Sequence, residues 1–152
     1  IVPGERSRLF ERLSRAFEGA RVAVIGRFPG LDSVAERCQL VVLERSPLGA
    51  ELPDQACEYV LGQQDCVVIT GSAIANKTLP RLLELSRHAY VVLAGPGVPL
   101  MPLWFDYGVD LLAGTLVLDP ERVSYAVRQG AHRQGFGDGV ARVEIAADAR
   151  GS

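Results

Sequence analysis

Two stretches of this chain hold residue types from which a small-molecule or metal site could be built. The first, Gly95 to Gly114, reads GPGVPLMPLWFDYGVDLLAG. Gly95, Pro96, Gly97 and Pro99 impose an irregular backbone, and Met101, Leu103, Trp104 and Phe105 then set large apolar side chains beside two carboxylates, Asp106 and Asp110. A carboxyl group against an apolar wall resists ionisation, so either aspartate is a candidate general base, with Trp104 and Phe105 as the wall. The second stretch, 70–78, reads TGSAIANKT. Gly71, Ser72 and Ala73 can present backbone N–H groups, while Ser72, Asn76, Lys77 and Thr78 add polar side chains near a helix N-terminus, a combination that suits an anion or carboxylate. The same residue types cap helices and close tight turns, so capping by Thr78 and a turn at Gly71 stand beside anion binding as an equal reading.

These loops need a frame, and apolar periodicity supplies one. Val22–Ile25, Leu40–Leu43, Cys66–Ile69, Tyr90–Leu93 and Leu111–Leu118 are short apolar runs, the last broken by Gly114. Helical patterns separate them. Glu5–Glu18 places Leu9, Phe10, Leu13, Ala16 and Phe17 on one face and stops at Gly19; Asp32 caps a short helix to Arg37. Another helix has Pro53 near its first turn and Gly62 just past its end, and a further one, capped at Lys77 or Thr78, runs to about His88. Asp119 and Pro120 open a last helix that ends at Gly130. Continuous apolar strands alternating with helices predict a parallel sheet covered on both faces, a Rossmann-like three-layer α/β domain of about five mainly parallel strands. Its expected core is Val24, Val42, Val68, Val92 and Val117, with Leu13, Val60, Leu83 and Val127 from helices. Residues 1–136 form this single domain; 137–152, where Ala141, Val143 and Ile145 alternate with polar residues, are a tail or an edge strand.

In such a fold ligands bind where loops leave the carboxyl ends of strands. Four loops qualify: Gly26–Gly30, Glu44–Pro47, Thr70–Thr78 and Gly95–Asp110. The first is GRFPG, lacking the dinucleotide glycine fingerprint, and Pro29 removes an N–H from the place where a pyrophosphate needs donors. Glu44 stands where a ribose-reading carboxylate sits in nucleotide-binding folds, although a strand-end carboxylate is often merely solvated. For a metal, the cleft offers oxygen ligands, Glu44, Asp106 and Asp110, joined by His132 from a loop. No Cys/His spacing makes a structural zinc site, and Gly71-Ser72-Ala73 is not a nucleophile elbow.

The chain has 152 residues and a net charge of −2, with no basic cluster to grip nucleic acid or an acidic membrane. No apolar run approaches the roughly 18 residues of a membrane span. Cys38, Cys57 and Cys66 match no metal or redox spacing and read as small core residues, which fits a reducing, cytoplasmic setting. The chain opens at Ile1 without an initiator Met, as a fragment or a processed product would.

TGSAIANKTLPRLLE, then VVLAGPGVPLMPLWFDYGVDLLAGTLVLDPERV, then QGAHRQGF, resemble the C-terminal half of a bacterial and archaeal family described as "putative heavy-metal chelation". The resemblance spans Phe10 to Phe136. It implies a Rossmann-like domain that follows a small domain akin to the N-terminal domain of enolase, with a site between the two. Carried over position by position, it points to Gly71, Asn76 and Thr78 in one loop and to Gly95, Pro96, Pro99, Asp106, Gly108 and Asp110 in the other.

The expected function is a small-ligand-binding domain for a metal ion or an anionic metal complex, acting in metal or metallo-cofactor handling. The alternatives are an enzyme acting on a small anionic metabolite and a protein-interaction scaffold. The expected ligand-binding residues are Glu44, Gly71, Ser72, Asn76, Thr78, Gly95, Pro96, Asp106 and Asp110, with Asp106, Asp110 and His132 as metal ligands. A divalent ion or a molybdate-like anion is the expected cofactor. The loop Val98–Phe105 should expose Leu100, Met101, Leu103 and Trp104 in part, which favours a homodimer or a covering partner; the competing arrangement folds Trp104 back onto the domain's own core.

Overall fold

A computed structural model describes residues 2–4, 8–130 and 140–147. The five apolar runs form β2 (Arg21–Ile25), β3 (Gln39–Glu44), β5 (Cys66–Thr70), β6 (Tyr90–Ala94) and β7 (Leu111–Val117), and every neighbouring pair among them is parallel. The domain is a Rossmann-like α/β fold. Three further strands extend the sheet to eight, in the order β1-β8-β7-β6-β5-β2-β3-β4. β4 (Leu52–Pro53) adds a short parallel edge. β8 (Val140–Ala146) runs antiparallel to β7 and carries the antiparallel β1 (Val2–Gly4) on its other side. The two- and three-residue β4 and β1 have no periodicity to read, whereas β8 falls in the alternating segment expected to be a tail or an edge strand.

The strands are buried on both faces, and their side chains alternate between two cores. Ala23, Ile25, Leu43, Val67, Ile69, Val91, Leu93 and Leu112 face one cluster with Cys57, Leu61, Leu79 and Leu82. Those last four come from α3 (Cys57–Val60), a following 3-10 turn and α5 (Leu79–Leu85). Val22, Val24, Cys66, Val68, Val92, Ala94 and Ala113 face the other, with Leu9 and Leu13 of α1 (Leu9–Ala16) and Val34 of α2 (Asp32–Arg37). This is the three-layer arrangement that continuous apolar strands require. An Arg12–Glu144 ion pair also ties α1 to β8.

Several local expectations are corrected. Asp32 opens α2 as its first residue and makes no capping hydrogen bond. Pro53 belongs to β4, and the helix expected after it is one α-helical turn flanked by two 3-10 turns. Gly114 does not interrupt β7: a Cβ there would stand 2.8 Å from Leu100 Cδ2, so the glycine admits the overlying loop. Val117 and Val127 are exposed rather than core. β6 pairs with β7 only as far as Ala113, so the end of β7 has β8 alone beside it, and α7 (Pro120–Arg128) buries no residue. Asp119 does cap α7, its Oδ1 accepting the Arg122 N–H at 3.0 Å.

Candidate functional site

Numbered by their own succession, the five long parallel strands take the order 2-1-3-4-5, and the order reverses between β2 and β5. A crevice opens at that kind of point, outside the carboxyl ends of the strands. Here it holds a pocket of about 740 Å³, within the range of small-molecule sites. Its floor is apolar: Ile25 and Leu43 from strand ends, Cys57 from α3, Ala73 from α4 (Ser72–Ala75), and Leu82 and Leu85 from α5. Gly26 makes the crevice possible. It sits at φ +105, and a Cβ on it would lie 2.8 Å from Thr70 Cγ2 across the gap.

The rim is charged. Arg27 pairs with Glu51 at 2.9 Å and donates to the Ser46 carbonyl at 3.2 Å. Arg81 reaches from α5 to α3, giving Nε and Nη2 to the two Glu58 oxygens at 2.9 and 2.6 Å, and Nη1 to Glu84 at 2.8 Å. That bidentate clamp holds the Glu58 carboxyl below the usual carboxylate range. Arg45 stands 4.0 Å from Asp54 Oδ2, while Asp54 Oδ1 is buried with no hydrogen-bond donor among the described residues. A buried acceptor without a donor is costly, and a ligand N–H or O–H would satisfy it. Burial pushes the Cys57 thiol up to about 11, so the floor of the pocket is an uncharged thiol at neutral pH.

Of the residues expected to form a site, Glu44, Ser72, Asn76 and Thr78 line this pocket. Gly71 and Gly95 meet beside it in close backbone packing. The Gly71 N–H donates to Ala94 O at 3.0 Å, the Gly95 N–H to Ala113 O at 2.9 Å, and a Cβ on Gly71 would press on Val98. The 70–78 loop is therefore poorer in donors than its sequence implied. The N–H groups of Gly71, Asn76, Lys77 and Thr78 are all taken by carbonyls, and Thr78 Oγ1 turns back to Ala73 O at 3.4 Å. α4 has four residues and α5 has seven, too short to offer the helix N-terminal anion site that the sequence suggested.

Pro96, Asp106 and Asp110 lie outside the pocket lining. Asp110 is at the opposite edge of the sheet, just before β7, where its Oδ2 accepts the Val91 N–H at 2.8 Å and its own N–H donates to Val91 O. It is a strand-pairing residue, and its expected place in the cleft is corrected. Residues 95–110 form the entire crossover between parallel strands, so they start at the carboxyl edge and must end at the amino edge. Asp106 is exposed at the end of α6 (Leu103–Asp106) on that crossover. Trp104 and Phe105 pack against the core, with Trp104 Nε1 donating to Pro99 O at 3.0 Å; Val98 is buried, and Met101, Leu103 and Tyr107 are exposed. His132 falls outside the described residues. Among the described residues no three His, Cys, Asp or Glu side chains gather where they could hold a metal ion.

Sequence reasoning missed Arg27, Asp54, Cys57 and Arg81 as neighbours of one cavity, whereas Lys77 was read with Ser72, Asn76 and Thr78. Their convergence depends on the strand order, which no local pattern carries. All three cysteines are free and buried, and no helix among the described residues is long and apolar enough to cross a membrane.

A family described as "Putative heavy-metal chelation" (DUF364) matches residues 8–145. The chain belongs to that family. A crystal structure of a family protein of unknown function from Desulfitobacterium hafniense DCB-2 is 38% identical, with a TM-score of 0.84 over 91% of this chain and 57% of that one. Another, from Pyrococcus horikoshii, has a TM-score of 0.82 at 23% identity, covering 91% of this chain and 58% of that one, and shows the common fold. An uncharacterised protein of Methanocaldococcus jannaschii is 30% identical over 113 residues, which is 70% of this chain and 42% of the relative. The chain thus spans about half the length of the proteins it matches.

Proposed function

We propose that this domain binds a small organic anion, free or as the organic part of an anionic metal complex, in the pocket at the strand-order reversal. The observation that carries this reading is the pocket's construction, an apolar floor under a charged rim at the one crevice the strand order creates. Membership of a family described by heavy-metal chelation supports a metal as cargo. The described side chains fit a bare ion poorly, because no carboxylate, thiol or imidazole cluster forms. They fit a complexed metal better: the organic ligand would contact Leu82, Leu85 and the rim, and the ion would keep its own donor set. Metal or metallo-cofactor handling is the role that matches such a ligand.

Native mass spectrometry of protein purified without chelator reads any retained small molecule. Titration calorimetry then compares nickel(II) alone with nickel(II)–citrate. Saturable binding of the complex, lost in Leu85→Glu while cooperative unfolding persists, is the expected result. Binding of the bare ion at equal strength, unaffected by Leu85→Glu, would overturn the reading.

A further inference from the structure

Four cations line the pocket: Arg27, Arg45, Lys77 and Arg81. Arg27 and Arg81 are committed to carboxylates at 2.6–2.9 Å, and Arg45 faces Asp54 at 4.0 Å. Lys77 makes no side-chain hydrogen bond or ion pair among the described residues. It is also the one non-glycine residue among them with a positive φ, at +59. It follows the α4 C-cap, Asn76, at the position where helices commonly end in a left-handed residue, which is usually glycine and sometimes asparagine. Lysine there adds backbone strain and gains nothing from packing, because the side chain is exposed. The N–H groups of Asn76, Lys77 and Thr78 are already spent on carbonyls, and the lysine ammonium is the uncommitted side-chain cation on the rim among the described residues.

We propose that Lys77 is the anion anchor of the pocket, pairing with a carboxylate or phosphate group of the bound organic ligand. The inference rests on the pocket reading above and deepens it. An ammonium on a flexible stem meets either oxyanion as a point charge, and strain retained at such a position marks a functional demand that folding stability does not explain. The apolar floor holds the body of the ligand, and Lys77 selects for its charge.

Two probe pairs separate the oxyanion sources: AMP against adenosine, and indole-3-acetate against indole-3-acetamide, each titrated by calorimetry at low salt. For at least one pair the anionic member binds about tenfold tighter than the neutral one. Lys77→Gly and Lys77→Gln both abolish that preference, and Lys77→Arg keeps most of it. Lys77→Gly also raises the unfolding midpoint by about 2–4 °C by relieving the left-handed strain, which Lys77→Gln does not. Loss of affinity alongside gained stability is a signature that a structural role would not give. Lack of preference for the anion in either pair, or a preference that survives Lys77→Gly, overturns the assignment. Equal binding of charged and neutral members in the wild type leaves the pocket standing and removes Lys77 alone; binding of no probe, together with no retained ligand in native mass spectrometry, removes both.

Discussion

Gly26 and Thr70 face each other across the gap between β2 and β5, and the pocket depends on that approach. A methyl group at Gly26 would lie 2.8 Å from Thr70 Cγ2, on a backbone at φ +105 that side chains rarely adopt. Gly26→Ala combines strain with overpacking, and a loss of about 2–4 kcal/mol is expected in urea denaturation. Thr70→Ala removes the methyl and hydroxyl facing that new side chain, so the double variant should recover part of the loss. The cysteines give a pH dependence of definite sign. Burial lifts Cys57 from 9.0 to about 11 and Cys66 from 9.0 to about 12. A folded value above the unfolded one contributes stability that is complete below about pH 9 and is lost as pH rises through the folded values. Denaturation midpoints should therefore hold between pH 7 and 8.5 and fall from pH 9 to 11. Cys57→Ala combined with Cys66→Ala should flatten that fall.

At the scale of elements, the five long strands were legible because each is a continuous apolar run between helical patterns, and Asp119 and Gly130 mark the ends of α7 as their chemistry predicts. The crossover 95–110 was misread because its residue types were considered before its path. A segment joining two parallel strands traverses the sheet, so Gly95 and Asp110 stand at opposite edges although they share one loop. Its apolar residues divide accordingly. Trp104, Phe105, Leu100 and Val98 pack on the core, and Met101, Leu103 and Tyr107 face outward. Trp104→Ala should cost about 2–4 kcal/mol, toward the low end of core aromatic deletions because the residue is only partly buried. Met101→Asp should change stability by less than about 0.5 kcal/mol. An interface between two copies through this loop would rest on Met101 and Leu103. Sedimentation of wild type beside Met101→Asp tests it: a dimer that dissociates in the variant supports the interface, and a wild-type monomer at micromolar concentration removes it.

Across the whole molecule, the order in which strands assemble decides which loops share a cavity. Of the loops that leave the carboxyl edge, the pocket draws on those after β2, β3, β4 and β5 and not on the one after β6, because β6 lies beyond β5 on the far side from β2 and β3. Glu44, Ser72, Asn76, Lys77 and Thr78, singled out from sequence, line the pocket, while Asp54, Cys57 and Arg81 enter from the β3–α3 and α5 segments only once the sheet is assembled. The same order grades stability. β2 and β5 have paired strands on both sides, and Val22, Val24, Val67 and Val68 are almost wholly buried. The end of β7 pairs with β8 alone, and α7 has no buried residue to hold it against the sheet. A nine-residue helix with no fully buried side chain has little packing to hold it and is marginal in water, because helix nucleation is unfavourable and few hydrogen bonds follow it. Native-state amide exchange at pH 7 should accordingly show β2 and β5 opening only with global unfolding, while α7 opens locally at a free energy near zero. Protection in α7 that matched β5 would show that another surface covers Tyr125 and Val127, the exposed apolar side chains of that helix.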